Sequence, residues 1–575
     1  MKKIFSIIAA LCLASNAFAS SVSEIQRNID TRYEDLRRQQ EIENRTKFIK
    51  EKQEEPVKQQ TETASPAKRQ FDRIDIRRSE VPGISQARIN AILKPYSSLM
   101  LGVNEISDIQ NNLQTLYINE GYGATRVYID GNTMPENILT FVIVDGYIED
   151  ISFKRAKGKK YSALSSELQK FSFYPFASGQ LLNIRDIDQG LEQMNRLVSN
   201  NASMEITPGT KEGYSIIEIT NDIGRRFNLS LSADNSGLEN TGYYKANSAI
   251  NADNLLMLND NIYFNYSRNI DGNWDNKSNN SYFASLSIPF GYFTFMSSFF
   301  KSDYNTRSGS AQGQRYISDG STQNKNAGLE MVVKRAASYK MSAGADIALK
   351  ENENFFDGQK INVSSKKLTV ASAFLTGTSY FGSSMFYGKL SYSQGLDWFG
   401  AAKNSGIAGA PKGQYYSLAL YTQYSRQFNM APVNLPSSYS FAFNAQHSPD
   451  ILFGSEQISL GGQSSVRGYK EGSVSGDSGF SVRNDFNWVL ANIFKRAGIF
   501  NILARTTLNV FADYGYARNR AFGQDYQLAG SGAGLLYRSK YFNASAIWSR
   551  SIYNNSYLPD EGDVVYFSIE GKIYF

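Results

Sequence analysis

Cysteine and histidine are almost missing from this 575-residue sequence, which has one of each, Cys12 and His447. One cysteine excludes an intrachain disulfide, a Cys-rich zinc site and an iron–sulfur cluster, and one histidine excludes a His-rich metal centre. Nucleophile chemistry built on a Ser–His pair would have to use His447. Ser448 and Asp450 lie near it in sequence, but neighbouring positions on a strand or turn do not by themselves build a nucleophile–base pair. A hydrolase is therefore the weaker reading: no enzyme activity, cofactor or metal is expected. A strong excess of one charge is lacking too. The 60 Lys+Arg against 54 Asp+Glu leave a net charge of +6, too little over this length to imply nucleic acid as a partner. No run of 18 or more apolar residues follows the amino terminus, which excludes helical membrane spans, so a membrane role would have to come from β-strands. Tryptophan is scarce, at 4, whereas Tyr and Phe number 36 each. In a chain with mean hydropathy −0.39, so many rings serve something other than an ordinary apolar core.

The amino terminus has the three parts of a secretory signal over residues 1–19. Lys2 and Lys3 are the basic start, Ile4 to Ala14 the apolar stretch, and Ala17-Phe18-Ala19 the small-x-small cleavage site. Leu11 stands where a lipoprotein signal wants a small residue, so Cys12 is expected to leave unmodified with the signal. Residues 20–44 read as one amphipathic helix, with Ile25, Ile29, Tyr33 and Leu36 at helical spacing among charges. Composition alone allows a disordered leader with a nascent helix equally well. Residues 45–70, with Pro56 and Pro66 among Gln, Glu and Lys, read as a flexible linker.

Two modules of similar texture follow, at 71–147 and 148–222. The first opens with a strand from Phe71 to Ile76, then has a short helix (Gln86 to Leu93) and a longer one with Ile106, Ile109, Leu113 and Leu116 on one face. It closes with strands at Thr125 to Ile129 and Leu139 to Val144. The second runs from a strand at Ile148 to Phe153 through a helix near Ser165 to Phe171 and a longer helix with Ile187, Leu191, Met194 and Leu197 on one face. Its last strands are Met204 to Thr207 and Ser215 to Thr220. Each is a small α+β layer with helices on one side of a sheet, and the doubling points to a tandem repeat.

From about 225 to 575 the pattern has period two. Tyr339, Met341, Ala343, Ala345, Ile347 and Leu349 form one face of a segment whose other face is mostly polar. The alternation recurs in Tyr282 to Phe290, Tyr439 to Ala445, Leu508 to Ala512 and Phe567 to Phe575. Polar connections, such as Asn269 to Asn280 and Thr306 to Lys325, separate these segments. Strands near ten residues with polar lumen faces are the pattern of a transmembrane β-barrel, whose closure satisfies every backbone group in lipid. At about twenty residues per strand and loop, this region holds roughly sixteen antiparallel strands.

The glycine-rich segment Ile458 to Tyr469, within a loop of about 448–479, contains Val466-Arg467-Gly468-Tyr469. A later strand holds Phe511, Asp513 and Gly515, which must face the lumen because Leu508, Val510 and Ala512 face lipid. A lumenal carboxylate wants a partner, and an arginine on a loop folded into the pore supplies two parallel hydrogen bonds. Gly468 and Gly515 leave room for that approach. Alternatively, Asp513 is one of many solvated lumen residues and Arg467 a surface-loop cation.

In combination these features resemble the transporters of two-partner secretion, the TpsB family, within the superfamily of outer-membrane assembly and translocation barrels. The resemblance covers essentially the whole mature chain. It rests on the V-R-G-Y loop at 466–469, the F-x-D-x-G strand at 511–515, Leu182 to Leu191, Pro208-Gly209, Asp234 to Gly237, and Asp253-Asn254. It implies two periplasmic POTRA domains, a sixteen-stranded barrel in the outer membrane, a pore loop meeting the barrel wall, and a plug formed by the helix at 20–44. The implied partner is a large secreted exoprotein (an adhesin, haemolysin or contact-dependent inhibition toxin) that crosses type V secretion's outer-membrane step unfolded. Outer-membrane lipid surrounds the barrel, and the assembly machinery reads the terminal strand ending at Phe575; a monomer is expected. A barrel insertase of the same superfamily usually carries more POTRA repeats, and a passive porin has no use for any.

Overall fold

A computed structural model of the chain describes residues 68–575 except 78–80, 97–98, 157–160, 175–177, 239–240, 272–276, 310–314, 337, 432–433, 491–504, 554–557 and 559–561. The expected signal peptide, the helix carrying Ile25, Ile29, Tyr33 and Leu36, and residues 45–67 of the linker lie outside the described residues.

Both small modules fold the same way. In the first, Arg73–Arg77 pairs in parallel with Ile138–Val144, and Arg126–Asp130 adds antiparallel on its other side. Helices α1 (Gln86–Leu93) and α2 (Val103–Asn119) cover this sheet. Ile109, Leu113 and Leu116 of α2 meet Val127, Leu139, Phe141 and Ile143 in one buried cluster, so helical spacing on one element and period two on the other build a single core. The Glu105 carboxylate accepts from the Gly102 N–H at 2.9 Å, which fixes where α2 starts. In the second module Tyr147–Arg155 and Tyr214–Asn221 are parallel and Ala202–Pro208 is the antiparallel edge. Helix α3 (Ala163–Phe173) is capped by Ser162, whose Oγ accepts from Ser165 N–H, and α4 (Ile184–Asn195) by Asn183, which accepts from Arg185 N–H. Leu197 lies past the end of α4 yet is 1% exposed.

The remainder closes into a barrel. Its sixteen long strands are β1 (Phe227–Asp234), β2 (Lys245–Asp253), β3 (Asn261–Asn269), β4 (Lys277–Phe290), β5 (Phe293–Gly309), β6 (Arg315–Arg335), β7 (Tyr339–Phe356) and β8 (Lys366–Phe381), followed by β9 (Ser384–Leu396), β10 (Tyr416–Met430), β11 (Leu435–His447), β12 (Ser478–Val489), β13 (Thr506–Asn519), β14 (Gln524–Arg538), β15 (Phe542–Ser551) and β16 (Asp563–Tyr574). Each pairs antiparallel with the next and β16 pairs with β1, so no sheet edge is left. Phe575 completes the seam: it exchanges two backbone hydrogen bonds with Phe227, at 2.9 and 3.0 Å, and the two rings stack at 5.5 Å. On β13, Val510, Ala512 and Tyr514 are exposed outward while Asn509, Phe511, Asp513 and Gly515 face in.

One expectation is corrected. The described residues 306–309 and 315–325 lie in strands rather than in a polar loop: Thr306 pairs with Ser318 and Arg307 with Ile317 in the β5–β6 ladder. The strands β5, β6 and β7 run 17, 21 and 18 residues, well past the expected ten. Where they rise beyond the apolar band both faces are wet, so nothing in the sequence there needs to alternate.

Candidate functional site

The connection between β11 and β12 folds back into the barrel. Ile458–Leu460 pairs with Val474–Gly476 to make a two-stranded ribbon that satisfies its own backbone. Ile458, Leu460, Val466, Tyr469 and Val474 form a buried cluster with Ala517 of β13 and Leu528 of β14. Two glycines permit this seating. Gly468 has φ +100°, which side-chain-bearing residues rarely adopt. At Gly530 of β14 an added Cβ would fall 1.7 Å from the Arg467 carbonyl oxygen.

At the tip, Arg467 is 2% exposed. Its Nε donates to Asp513 Oδ2 at 2.6 Å, its Nη2 to Asp513 Oδ1 at 2.7 Å, and its backbone N–H to Oδ2 at 3.1 Å. Nη1 donates to Asp485 Oδ1 of β12 at 2.7 Å. The guanidinium carbon stands 3.5 Å from the centre of the Phe511 ring. One nearly buried cation thus meets two carboxylates and an aromatic face, the geometry in which a planar guanidinium outperforms an ammonium. The structure therefore brings Val466, Arg467, Gly468 and Tyr469 together with Phe511, Asp513 and Gly515. A Cβ added at Gly515 would lie 2.7 Å from Val466 Cγ2. Sequence reading missed Asp485, Gly530 and Tyr566, whose hydroxyl donates to the Tyr469 carbonyl at 2.7 Å. Asp485 pairs with Phe511 and so shares its inward face, a register that the structure supplies. Beside the tip a lumenal cavity of about 450 Å³ remains, with Gln423, Asp485, Asn509 and Glu570 on the wall and Gln463 and Arg467 on the loop. The loop is thus part of the passage lining.

The second module meets the barrel through α3, where Gln169 donates to the Met257 carbonyl at 2.8 Å, and more extensively through α4. Its apolar residues Ile187, Leu191 and Met194 fill the module core, while its polar face meets the rim. Gln189 donates to the Gly291 carbonyl at 3.3 Å and Gln193 to Thr294 Oγ1 at 3.2 Å. Arg196 donates to Ser287 Oγ and to the Asn259 carbonyl, both at 2.7 Å. Tyr292 donates to Asp186. Glu192 receives Arg335 at 2.5 Å and Lys340 at 2.6 Å from the ends of β6 and β7. Burial pushes the Glu192 carboxyl up, but the attraction of Lys340 and then Arg335 outweighs it and holds the group well below the usual carboxylate range. Because the docked value is depressed, this contact supports docking above the ordinary glutamate value of 4.5 and is lost as pH falls through the docked value. Glu192→Gln is expected to broaden the distance distribution between spin labels on the second module and the barrel rim at neutral pH. An unchanged distribution would show that the hydrogen bonds alone suffice.

His447 ends β11 and its Nδ1 is 3.4 Å from Ser478 Oγ, whereas Ser448 Oγ donates to the Tyr416 carbonyl and Asp450 accepts from Lys412. The described residues do not assemble His447, Ser448 and Asp450 into a relay.

A family model described as "Haemolysin secretion/activation protein ShlB/FhaC/HecB" matches residues 213–537. POTRA-domain models match residues 147–208 and, in the ShlB-type form, 72–146. The outer membrane transporter CdiB of Escherichia coli is 29% identical over 411 residues, 71% of this chain and 68% of that protein. The hemolysin transporter protein ShlB of Serratia marcescens is 28% identical over 414 residues, 72% of this chain and 70% of that one. Among solved structures, CdiB from Escherichia coli matches with a TM-score of 0.81 at 25% identity, over 96% of this chain and 98% of that chain.

Proposed function

Since the chain belongs to the haemolysin secretion/activation (ShlB/FhaC/HecB) family, whose members are outer-membrane transporters of two-partner secretion, we propose how its parts divide that work. It is an outer-membrane transporter whose two POTRA domains lie in the periplasm. The domains take an unfolded exoprotein (an adhesin, haemolysin or contact-dependent toxin) as an extended strand on a sheet edge, where backbone pairing gives affinity with little demand on sequence. The barrel passes the segment outward, and folding of the client outside drives export. The observation that carries this reading is the inserted loop: a buried Arg467 seated on Asp513 and Asp485 holds a loop inside the barrel by side-chain contacts rather than by barrel strand pairing.

Co-expression with a candidate exoprotein is expected to bring that exoprotein to the cell surface or medium. Periplasmic retention beside a correctly inserted barrel, for every exoprotein class offered, would overturn the reading. We propose that the segment at residues 20–44, whose sequence reads as an amphipathic helix, is the plug. Deleting residues 20–50 is expected to raise single-channel conductance in planar bilayers, and unchanged conductance would remove the plug from the scheme.

A further inference from the structure

The inserted loop is fastened to the wall a second time, away from Arg467. Glu456, whose side chain is 6% exposed, lies at the base of the loop ribbon. Lys350 of β7 brings its Nζ to 3.0 Å from Oε1 and 2.9 Å from Oε2. Ser455 Oγ donates to Oε1 at 3.1 Å and the Tyr415 hydroxyl donates to Oε2. The Glu456 carbonyl accepts from Gln446 Nε2 of β11 at 2.8 Å. Around the ring of sixteen long strands, β7 and β16 are nine steps apart one way and seven the other. Glu456 is held by β7, and Tyr469, thirteen positions later, is held by Tyr566 of β16. The loop packs along the wall at β13 and β14, and the Glu456 side chain reaches from its base to β7.

We propose that the Glu456–Lys350 contact is a releasable latch on this loop, and that passage of an exported chain requires it to open while Arg467 stays seated. The two fastenings differ in kind. Arg467 is 2% exposed, its partner Asp513 is 0% exposed in its side chain, and four donors are engaged. Removing such a pair strands a buried charge. The latch has one flexible ammonium, 23% exposed toward the lumen, so water or a passing polar chain can replace its hydrogen bonds, while the Ser455 and Tyr415 hydroxyls go on donating to the buried Glu456 carboxylate. With the latch open, the segment before the ribbon gives way while the ribbon stays packed on β13 and β14, and the passage lined by the loop widens.

This inference rests on the transport reading, so its first test needs no client. Glu456→Gln and Lys350→Met are each expected to raise mean conductance in planar bilayers, and the exchanged pair Glu456→Lys with Lys350→Glu to bring it back toward the parent value. Heat-modifiable migration in gels checks that each barrel is folded. The second test uses export. The mature chain is expected to contain no cysteine, so Glu456→Cys with Lys350→Cys can be joined by a bifunctional thiol reagent with a cleavable disulfide spacer. Export is expected to stop on cross-linking and to return on reduction. Unchanged conductance in both single variants, or normal export through a fully cross-linked chain, overturns the latch. Absence of export from the parent chain itself would instead fault the transport reading.

Discussion

Arg467→Ala is expected to abolish export while leaving a heat-modifiable barrel in the outer membrane. The substitution removes three side-chain hydrogen bonds and leaves Asp513, whose side chain is 0% exposed, without its cation. Breaking a buried ion pair from one side costs about 3–5 kcal/mol. That is a shift of roughly two to four orders of magnitude in the ratio of seated to unseated loop. Barrel pairing does not pass through Arg467, because β12, β13 and β14 hydrogen-bond to one another directly, so assembly should survive. Arg467→Lys keeps the charge but offers one ammonium where Asp513 takes two parallel donors and Asp485 a third, so export is expected to fall partway. Gly530→Val should act like the alanine variant without touching any charge, since its Cβ would occupy the place of the Arg467 carbonyl. The measurement is exoprotein in the medium against barrel in the membrane. Normal export by both Arg467→Ala and Gly530→Val would remove the loop seat from the mechanism.

What could be read from the sequence divides along a physical line. A strand with lipid on one side and water on the other must alternate, so the faces of β13 were legible from Leu508, Val510 and Ala512 alone, and with them the inward pointing of Phe511, Asp513 and Gly515. On β12 the outward run of Phe480, Val482, Phe486 and Trp488 is interrupted by Asn484, which accepts a hydrogen bond from the Tyr439 hydroxyl at 2.9 Å. That break hides the register that makes Asp485 a partner. Thr306 to Lys325 was misread because a strand wetted on both faces has the composition of a loop. Glu456 and Lys350 stand 106 positions apart, and neither has a local pattern that separates it from a solvated charge. Helix α4 shows both cases at once. Its buried Ile187, Leu191 and Met194 follow helical spacing, whereas Asp186, Gln189, Glu192, Gln193 and Arg196 look like any solvated face until the barrel rim is placed against them.

Ile206→Pro in the second POTRA domain is expected to weaken binding of an exoprotein fragment by about ten-fold or more, and to lower export in step. The reason lies in how the two domains treat their sheet edges. In the first, α2 covers the edge strand Arg126–Asp130. Gln114 accepts the Val127 N–H at 3.1 Å and donates to the Thr125 carbonyl at 2.7 Å, and Gln110 donates to the Val127 carbonyl at 2.7 Å. Those side-chain amides occupy the positions an added strand would use, a device that protects edges from unwanted pairing. In the second domain Asn195 caps only the start of the edge, bonding the N–H and carbonyl of Ala202 at 2.7 and 2.8 Å. Met204 and Ile206 point the same groups outward and carry no such cap among the described residues. Proline at 206 removes an outward N–H without breaking the ladder to Tyr214–Asn221, and Ile206 is 42% exposed, so little packing is lost. One lost backbone hydrogen bond, at about 0.5–1.5 kcal/mol, accounts for roughly two- to ten-fold, and the proline ring excludes the neighbouring strand besides. Gln110→Ala with Gln114→Ala bares the first edge and is expected to leave binding equal or tighter. If the glutamine variant loses binding and Ile206→Pro does not, recognition belongs to the first domain instead.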